Sequence, residues 1–259
     1  MGGRRAFVHT GGVALDREAT LVVLIHGAGG DHSVWRYQSR WLASSGRAAA
    51  AVDLPAHGRS DGPALPDIGG MADWVCGLIG SLGSPASVVI GHSMGSLVAL
   101  ETARRMPLAG FAMLSPSIRM AVHPDLQAAA DRGERLAADL IIGWSHTGRA
   151  RFGPHHDPGV WKQGGNRRLL EENAATLGSD LRACAGWEAP DLSTLTTPAL
   201  AILGSRDRMT PERSGRDLAA RLPAVTLAVI PGASHVVFYE HPSVVNAVLG
   251  PWIDGLEAP

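Results

Sequence analysis

The segment Gly91-His92-Ser93-Met94-Gly95 carries a serine hydroxyl between two glycines, in the pattern G-x-S-x-G. It follows the apolar run 87–90, which reads as a buried strand, and leads into 95–106, which has helical spacing. A serine on so sharp a strand-to-helix turn is lifted above the sheet edge. Side chains two positions before and after it would collide, so both must be glycine. The helix N-terminus behind it favours developing negative charge. The competing reading is a serine that merely caps a helix; the strand before and the helix after favour a nucleophile.

A serine hydroxyl needs a base. His235 follows the apolar run 226–230 in the loop Pro231-Gly232-Ala233-Ser234-His235. The runner-up, His241, precedes Pro242 at an expected helix start. The base needs an acid that orients it and stabilises its charged form. Asp207 lies just past the run 199–203, whereas Asp217 falls inside the helix expected next, and Leu114-Ser115-Pro116 offers no carboxylate. His26-Gly27-Ala28-Gly29-Gly30 follows the run Leu21–Ile25, and its glycines permit close approach of backbone N–H groups to an oxyanion. The expected donors are the N–H groups of Ala28 and Met94. A phosphate-binding loop is the rival reading, but neither G-x-x-x-x-G-K-[ST] nor G-x-G-x-x-G is present there.

The elements that must position these residues are short apolar runs ending in Gly, Pro or Asp: 21–25, 48–54, 87–90, 110–114, 199–203 and 226–230. Continuous apolar runs of that length suit buried parallel strands. Residues 6–16 read as two further short strands turning at Gly11-Gly12. Helical patterns cover 68–82 and 94–106; a third starts at Thr210-Pro211-Glu212, with Thr210 as N-cap, and a last one follows His241-Pro242-Ser243. Alternating strands and helices predict an α/β fold with a mainly parallel central sheet flanked by helices.

The alternation lapses between 117 and 187, where helical patches at 126–142 and 167–177 are joined by loop-like pieces. A single crossover needs far fewer residues. The expectation is a core of 1–116 and 188–259 with a helical cap insertion at 117–187; the rival is helices that simply pack on the sheet. Trp144, Phe152, Trp161 and Trp187 in or beside this stretch either line an apolar pocket or fill its own interior. His155-His156-Asp157 lacks partners at a metal-ligand spacing, so no metal is expected. Asp53, His57 and Arg59 are expected to be structural.

The 259 residues suit one large domain, or a core with an inserted lid. A net charge of −1 offers no electrostatic reason for a nucleic-acid partner. No apolar stretch resembles a signal peptide or could span a bilayer, so no membrane insertion and a cytoplasmic setting are expected. Cys76 and Cys184 fit no metal or redox spacing and read as two thiols.

Taken together, His26-Gly27-Ala28-Gly29, the stretch from Asp53 through Pro55-Ala56-His57-Gly58 to Ser60, Gly91 through Gly95, Gly204 through Asp207 and Gly232 through His235 resemble the α/β-hydrolase superfamily over nearly the whole chain. The resemblance implies the α/β-hydrolase fold, a triad of Ser93, Asp207 and His235, and oxyanion donors at Ala28 and Met94. One departure is Ala56, where the family usually has Gly; it asks for a slightly different loop backbone. The core resembles small bacterial esterases, lactonases, carbon–carbon bond hydrolases and cofactor-free haloperoxidases. Serine at the nucleophile position excludes epoxide and haloalkane hydrolysis, which use an aspartate. The expected activity is a cytoplasmic serine carboxylesterase acting on a small-to-medium ester and water, without cofactor. The alternatives are a lactonase or carbon–carbon bond hydrolase on the same triad, and a non-catalytic small-ligand binder. Oligomeric state is not legible.

Overall fold

The computed structural model describes residues 3–84, 86–146 and 159–256, with only the backbone of 159–162. Its centre is a seven-stranded sheet in the order β1-β3-β2-β4-β5-β6-β7. The strands are β1 (Val8–His9), β2 (Leu21–Ile25), β3 (Ala48–Val52), β4 (Ser87–His92), β5 (Gly110–Leu114), β6 (Ala199–Gly204) and β7 (Val225–Ile230). Only β1 is antiparallel, pairing Val8 with Val52 and His9 with Ala51. The second N-terminal strand expected after Gly11-Gly12 does not form. Both glycines take left-handed backbone (φ 70 and 92), but the chain beyond them runs to β2 as a loop.

Period-2 side-chain alternation explains how β2 is buried on both faces. Leu21, Val23 and Ile25 face a cluster with α2 (Ile68–Leu82), α3 (Met94–Ala103) and α8 (Glu212–Ala219). Val22 and Leu24 face the opposite cluster with α1 (Arg36–Ser44), α9 (Val237–Glu240) and α10 (Pro242–Asp254). Burying five aliphatic side chains at about 1.5–3 kcal/mol each makes such a strand a main source of core stability. The start of α2 is set by Asp67, whose side chain accepts the Gly70 N–H, and its end by Gly83 in left-handed backbone. Asp16, Glu18 and the other charges of the β1–β2 loop stay at the surface.

Between β5 and β6 lie α4 (Pro124–Asp131), α5 (Arg135–Ser145), α6 (Gly159–Glu172) and α7 (Ala174–Gly186). The helical patch read across 126–142 is two helices, because Gly133 turns the chain with φ 63. These helices share an apolar cluster of their own, including Leu126, Ala129, Ile142, Leu170, Leu177 and Leu181. Trp187 sits outside it, in the sheet-side core, and donates its indole N–H to Glu101 at 3.1 Å. No helix among the described residues is long and apolar enough to cross a membrane. Cys76 and Cys184 are both free thiols.

Candidate active site

Chain order and sheet order diverge at β2, which has β3 on one side and β4 on the other. Loops leaving such a pair of parallel strands part in opposite directions and open a crevice at their carboxyl ends. Ser93 and the loop 26–30 flank this crevice. A Cβ added to Gly27 would lie 3.2 Å from Ser93 Cβ, so the two loops are in direct contact.

Ser93 is the N-cap of α3, with φ 53 and ψ −118. A non-glycine residue held there stores about 1–3 kcal/mol of strain. The flanking glycines are sterically required: a Cβ on Gly91 would sit 1.8 Å from the Gly95 carbonyl oxygen, and one on Gly95 would sit 2.4 Å from that of Ile25. The Ser93 hydroxyl makes no hydrogen bond among the described residues, including to His235. Serine–histidine contacts at such sites commonly tighten only when substrate is in place.

His235 Nδ1 donates to Asp207 Oδ2 at 2.8 Å, which leaves Nε2 as the basic nitrogen. Asp207 Oδ1 accepts the N–H groups of Met209 and Thr210, both at 2.8 Å. Burial alone would push the Asp207 carboxyl up. The neighbouring His235 and the hydrogen bonds from His235 and Thr210 outweigh burial and hold it below the usual carboxylate range. Asp207 is therefore charged beside the imidazole. Asp217 is exposed on α8, and His241 caps α10.

The loop 26–30 is held by its own bonds. Leu54 donates its N–H to His26 Nε2 at 3.2 Å, so His26 carries its proton on Nδ1, which donates to the Gly27 carbonyl at 2.9 Å. Gly30 N–H reaches the same carbonyl at 3.0 Å. That carbonyl shares a peptide plane with the Ala28 N–H, which is thereby fixed pointing the other way. Neither the Ala28 nor the Met94 N–H has an acceptor among the described residues. Burial, then the nearby His57, lowers the His26 pKa to about 4, so its ring is neutral.

Residues 22–248 match the alpha/beta hydrolase family. The chain belongs to this family. It is 32% identical over 239 residues to a pimeloyl-[acyl-carrier protein] methyl ester esterase from Chromobacterium violaceum, covering 85% of this chain and 89% of that protein. It is 30% identical over 244 residues to a 2-succinyl-6-hydroxy-2,4-cyclohexadiene-1-carboxylate synthase from Escherichia coli, covering 88% and 91%. An enol-lactonase from Burkholderia xenovorans shares the fold with a TM-score of 0.85 at 22% identity, over 97% of each chain.

Within this α/β hydrolase, Ser93 and His235 open into one cavity of about 360 Å³. Its walls include Val122, Leu126, Ile142, Trp144 and Leu170 from the segment between β5 and β6, and Phe238 from α9. Trp144 thus lines the cavity; the side chains of Phe152 and Trp161, and His155-His156-Asp157, lie outside the described residues. Asp53 is fully buried just after β3 and does not line the cavity. It accepts the N–H groups of His32 and Arg59 at 2.7 and 2.9 Å, tying the loop 53–60 to the loop after β2. Ala56 in that loop has φ 68. Alanine thus sits in left-handed backbone there and carries the strain of its Cβ.

Three supporting residues escaped the sequence reading. Thr210 is not the N-cap of the following helix; Pro211 is, and that helix starts at Glu212. The Thr210 hydroxyl instead lies 2.7 Å from Asp207 Oδ2 and 3.0 Å from the Ser115 carbonyl. His92 Nε2 donates to the His235 carbonyl at 3.0 Å, and Ser115 Oγ donates to the same oxygen at 2.7 Å. Burial, then the neighbouring His235, lowers the His92 pKa to about 3, so it is neutral. The only local signal for these roles is proximity to the motif residues.

Proposed function

We propose that this α/β hydrolase is a serine carboxylesterase that cleaves a small-to-medium ester through an acyl-enzyme. The observation that carries the reading is an oriented imidazole, its Nδ1 on a charged Asp207, sharing one apolar cavity with a strained serine. His235 Nε2 takes the Ser93 proton as Oγ attacks the ester carbonyl carbon. The N–H groups of Ala28 and Met94 hold the resulting oxyanion. As the tetrahedral species collapses, His235 gives its proton to the departing alkoxide. A water then attacks the acyl-enzyme, losing its proton to His235, and the acid leaves as Ser93 recovers its hydrogen. No step calls for a cofactor or metal.

Segment 117–187 acts as the cap in this reading, since its apolar side chains form much of the cavity wall and so meet the acyl or alcohol part. The esterase named among the relatives supports ester chemistry. Two free thiols fit a reducing, cytoplasmic setting.

The test is labelling with a fluorophosphonate probe, alongside Ser93→Ala, and turnover of p-nitrophenyl esters of increasing chain length. Labelling and turnover lost in Ser93→Ala are expected. Labelling that survives the substitution refutes the nucleophile. Turnover of lactones or of carbon–carbon bond substrates at higher kcat/KM reassigns the bond cleaved, and a wild type inert to probe and esters favours a ligand binder.

A further inference from the structure

Asp180 lies on α7, far in sequence from the strand-end loops, yet it is fully buried against two of them. Its Oδ2 accepts the Gly29 N–H at 2.8 Å and lies 2.8 Å from His57 Nε2. The other ring nitrogen of His57, Nδ1, lies 3.1 Å from the Pro55 carbonyl. Both ring nitrogens therefore face oxygen acceptors, and only the doubly protonated ring can donate to both. Burial opposes that charge, but the hydrogen bond and charge of Asp180 outweigh it and raise the His57 pKa above its ordinary value. The result is a buried His57–Asp180 pair whose acceptor oxygen also grips Gly29.

Such a pair does little for stability. Buried ion pairs are often matched or bettered by apolar side chains of similar volume, and here Asp180 Oδ1 has no partner among the described residues. Its position is more telling. Gly29 follows Ala28, and its backbone is left-handed at φ 63. A Cβ on Gly29 would lie 3.0 Å from Leu177 and 3.1 Å from Leu170, so α6 and α7 already press on this face. Ala28 itself packs against the apolar cluster of α4–α7. The bonds to the Gly27 carbonyl fix one side of Ala28; Asp180 fixes the peptide on its other side.

We infer that Asp180 is a positioning residue for the oxyanion: by holding the Gly29 N–H from α7, it aims the Ala28 N–H and couples the seating of α7 to transition-state stabilisation. This rests on the proposed Ser93 chemistry and on the Ala28 role within it.

Asp180→Ala tests it, because it removes the acceptor of the Gly29 N–H, whereas the amide oxygen of an asparagine could still take that bond. On a p-nitrophenyl ester that wild type turns over, kcat should fall about 100-fold, as when an oxyanion donor is lost or the reacting groups shift by about 1 Å. KM should stay within about threefold. Affinity for a boronic acid, which forms a tetrahedral anion on Ser93, should fall by a similar factor. Asn173→Ala is the control. It removes another tie from the α6–α7 junction to the core, the Gly58 N–H bond to Asn173 Oδ1 at 3.2 Å, without touching the loop 26–30. Its kcat should stay within about threefold; equal losses in the two variants would make the Asp180 effect general loosening and overturn the inference. Wild-type kcat in Asp180→Ala overturns it while leaving Ser93 in place, whereas turnover that survives Ser93→Ala overturns the underlying reading instead. Should Asp180→Ala not fold, amide hydrogen exchange in the wild type decides: a slowly exchanging Gly29 N–H is expected, and exchange at the rate of an open loop refutes the anchor.

Discussion

Replacing Asp207 by Asn should cost about 10⁴-fold in kcat, and the structure says why. Asp207 Oδ1 accepts two backbone N–H groups, from Met209 and Thr210, while Oδ2 receives the His235 Nδ1–H. An asparagine must turn its NH2 one way or the other. Turned toward the backbone, it leaves two N–H groups without acceptors, at about 1–3 kcal/mol each. Turned toward His235 it opposes a single N–H, and the imidazole relieves that clash by moving its proton to Nε2. The second orientation wins by about one unpaired N–H, a preference of tenfold or more at about 1.4 kcal/mol per factor of ten. Once Nε2 carries the proton, it cannot accept one from Ser93. The wrong tautomer is worth about 10⁴ in kcat in the serine protease triad, or about 5.5 kcal/mol of barrier. Steady-state kinetics on a p-nitrophenyl ester should show this loss with KM little changed, and fluorophosphonate labelling of Ser93 should slow in step. The melting temperature should move by only a few degrees. A variant that keeps more than a tenth of wild-type kcat refutes Asp207 as the residue that orients His235.

Other outcomes follow from the same contacts. His26 and His92 are buried neutral, at about 4 and about 3, against 6.5 for the free side chain. Below pH 6.5 the unfolded chain takes up protons that the folded chain refuses. Stability present above 6.5 is therefore lost as pH falls toward 4, by up to about 1.4 kcal/mol per pH unit for each ring. Urea midpoints at pH 7 and pH 5 should differ accordingly, and equal midpoints would count against neutral burial. Ala56→Gly should raise stability by about 0.5–1 kcal/mol, because relief of left-handed strain exceeds the added freedom of the unfolded chain; a lower melting temperature would argue against strain there. Gly95→Ala drives a Cβ to within 2.4 Å of the Ile25 carbonyl oxygen. A loss of more than about 3 kcal/mol, or no soluble protein, is expected, and a wild-type melt would disprove the close approach.

Much of this site was legible because buried parallel strands announce themselves as uninterrupted apolar runs. Leu21–Ile25 and Gly110–Leu114 were bounded to the residue, and the reactive candidates stood directly after strand ends. Helix α2 was equally clear, with Asp67 and Gly83 at its ends. The failures have physical causes. Val8–His9 pairs with β3, but nothing local shows that the chain past Gly12 lacks a partner strand. Thr210-Pro211 has the composition of a cap, and the competing claim on the Thr210 hydroxyl came from Asp207 and Ser115, one of them 95 residues away. The Asp180 contacts join residues 123 and 151 positions apart, a separation at which spacing carries no information.

The carbonyl of His235 is held by His92 and by Ser115, and His92 is the residue just before Ser93. Base and nucleophile are thus moored to each other through one hydrogen bond of 3.0 Å, independently of the helices around them. When thermal motion twists the sheet, the two drift together like boats on one rope. Heating should then leave the intrinsic rate climbing smoothly until the fold itself gives way, with no earlier decline from a gradually misaligned pair.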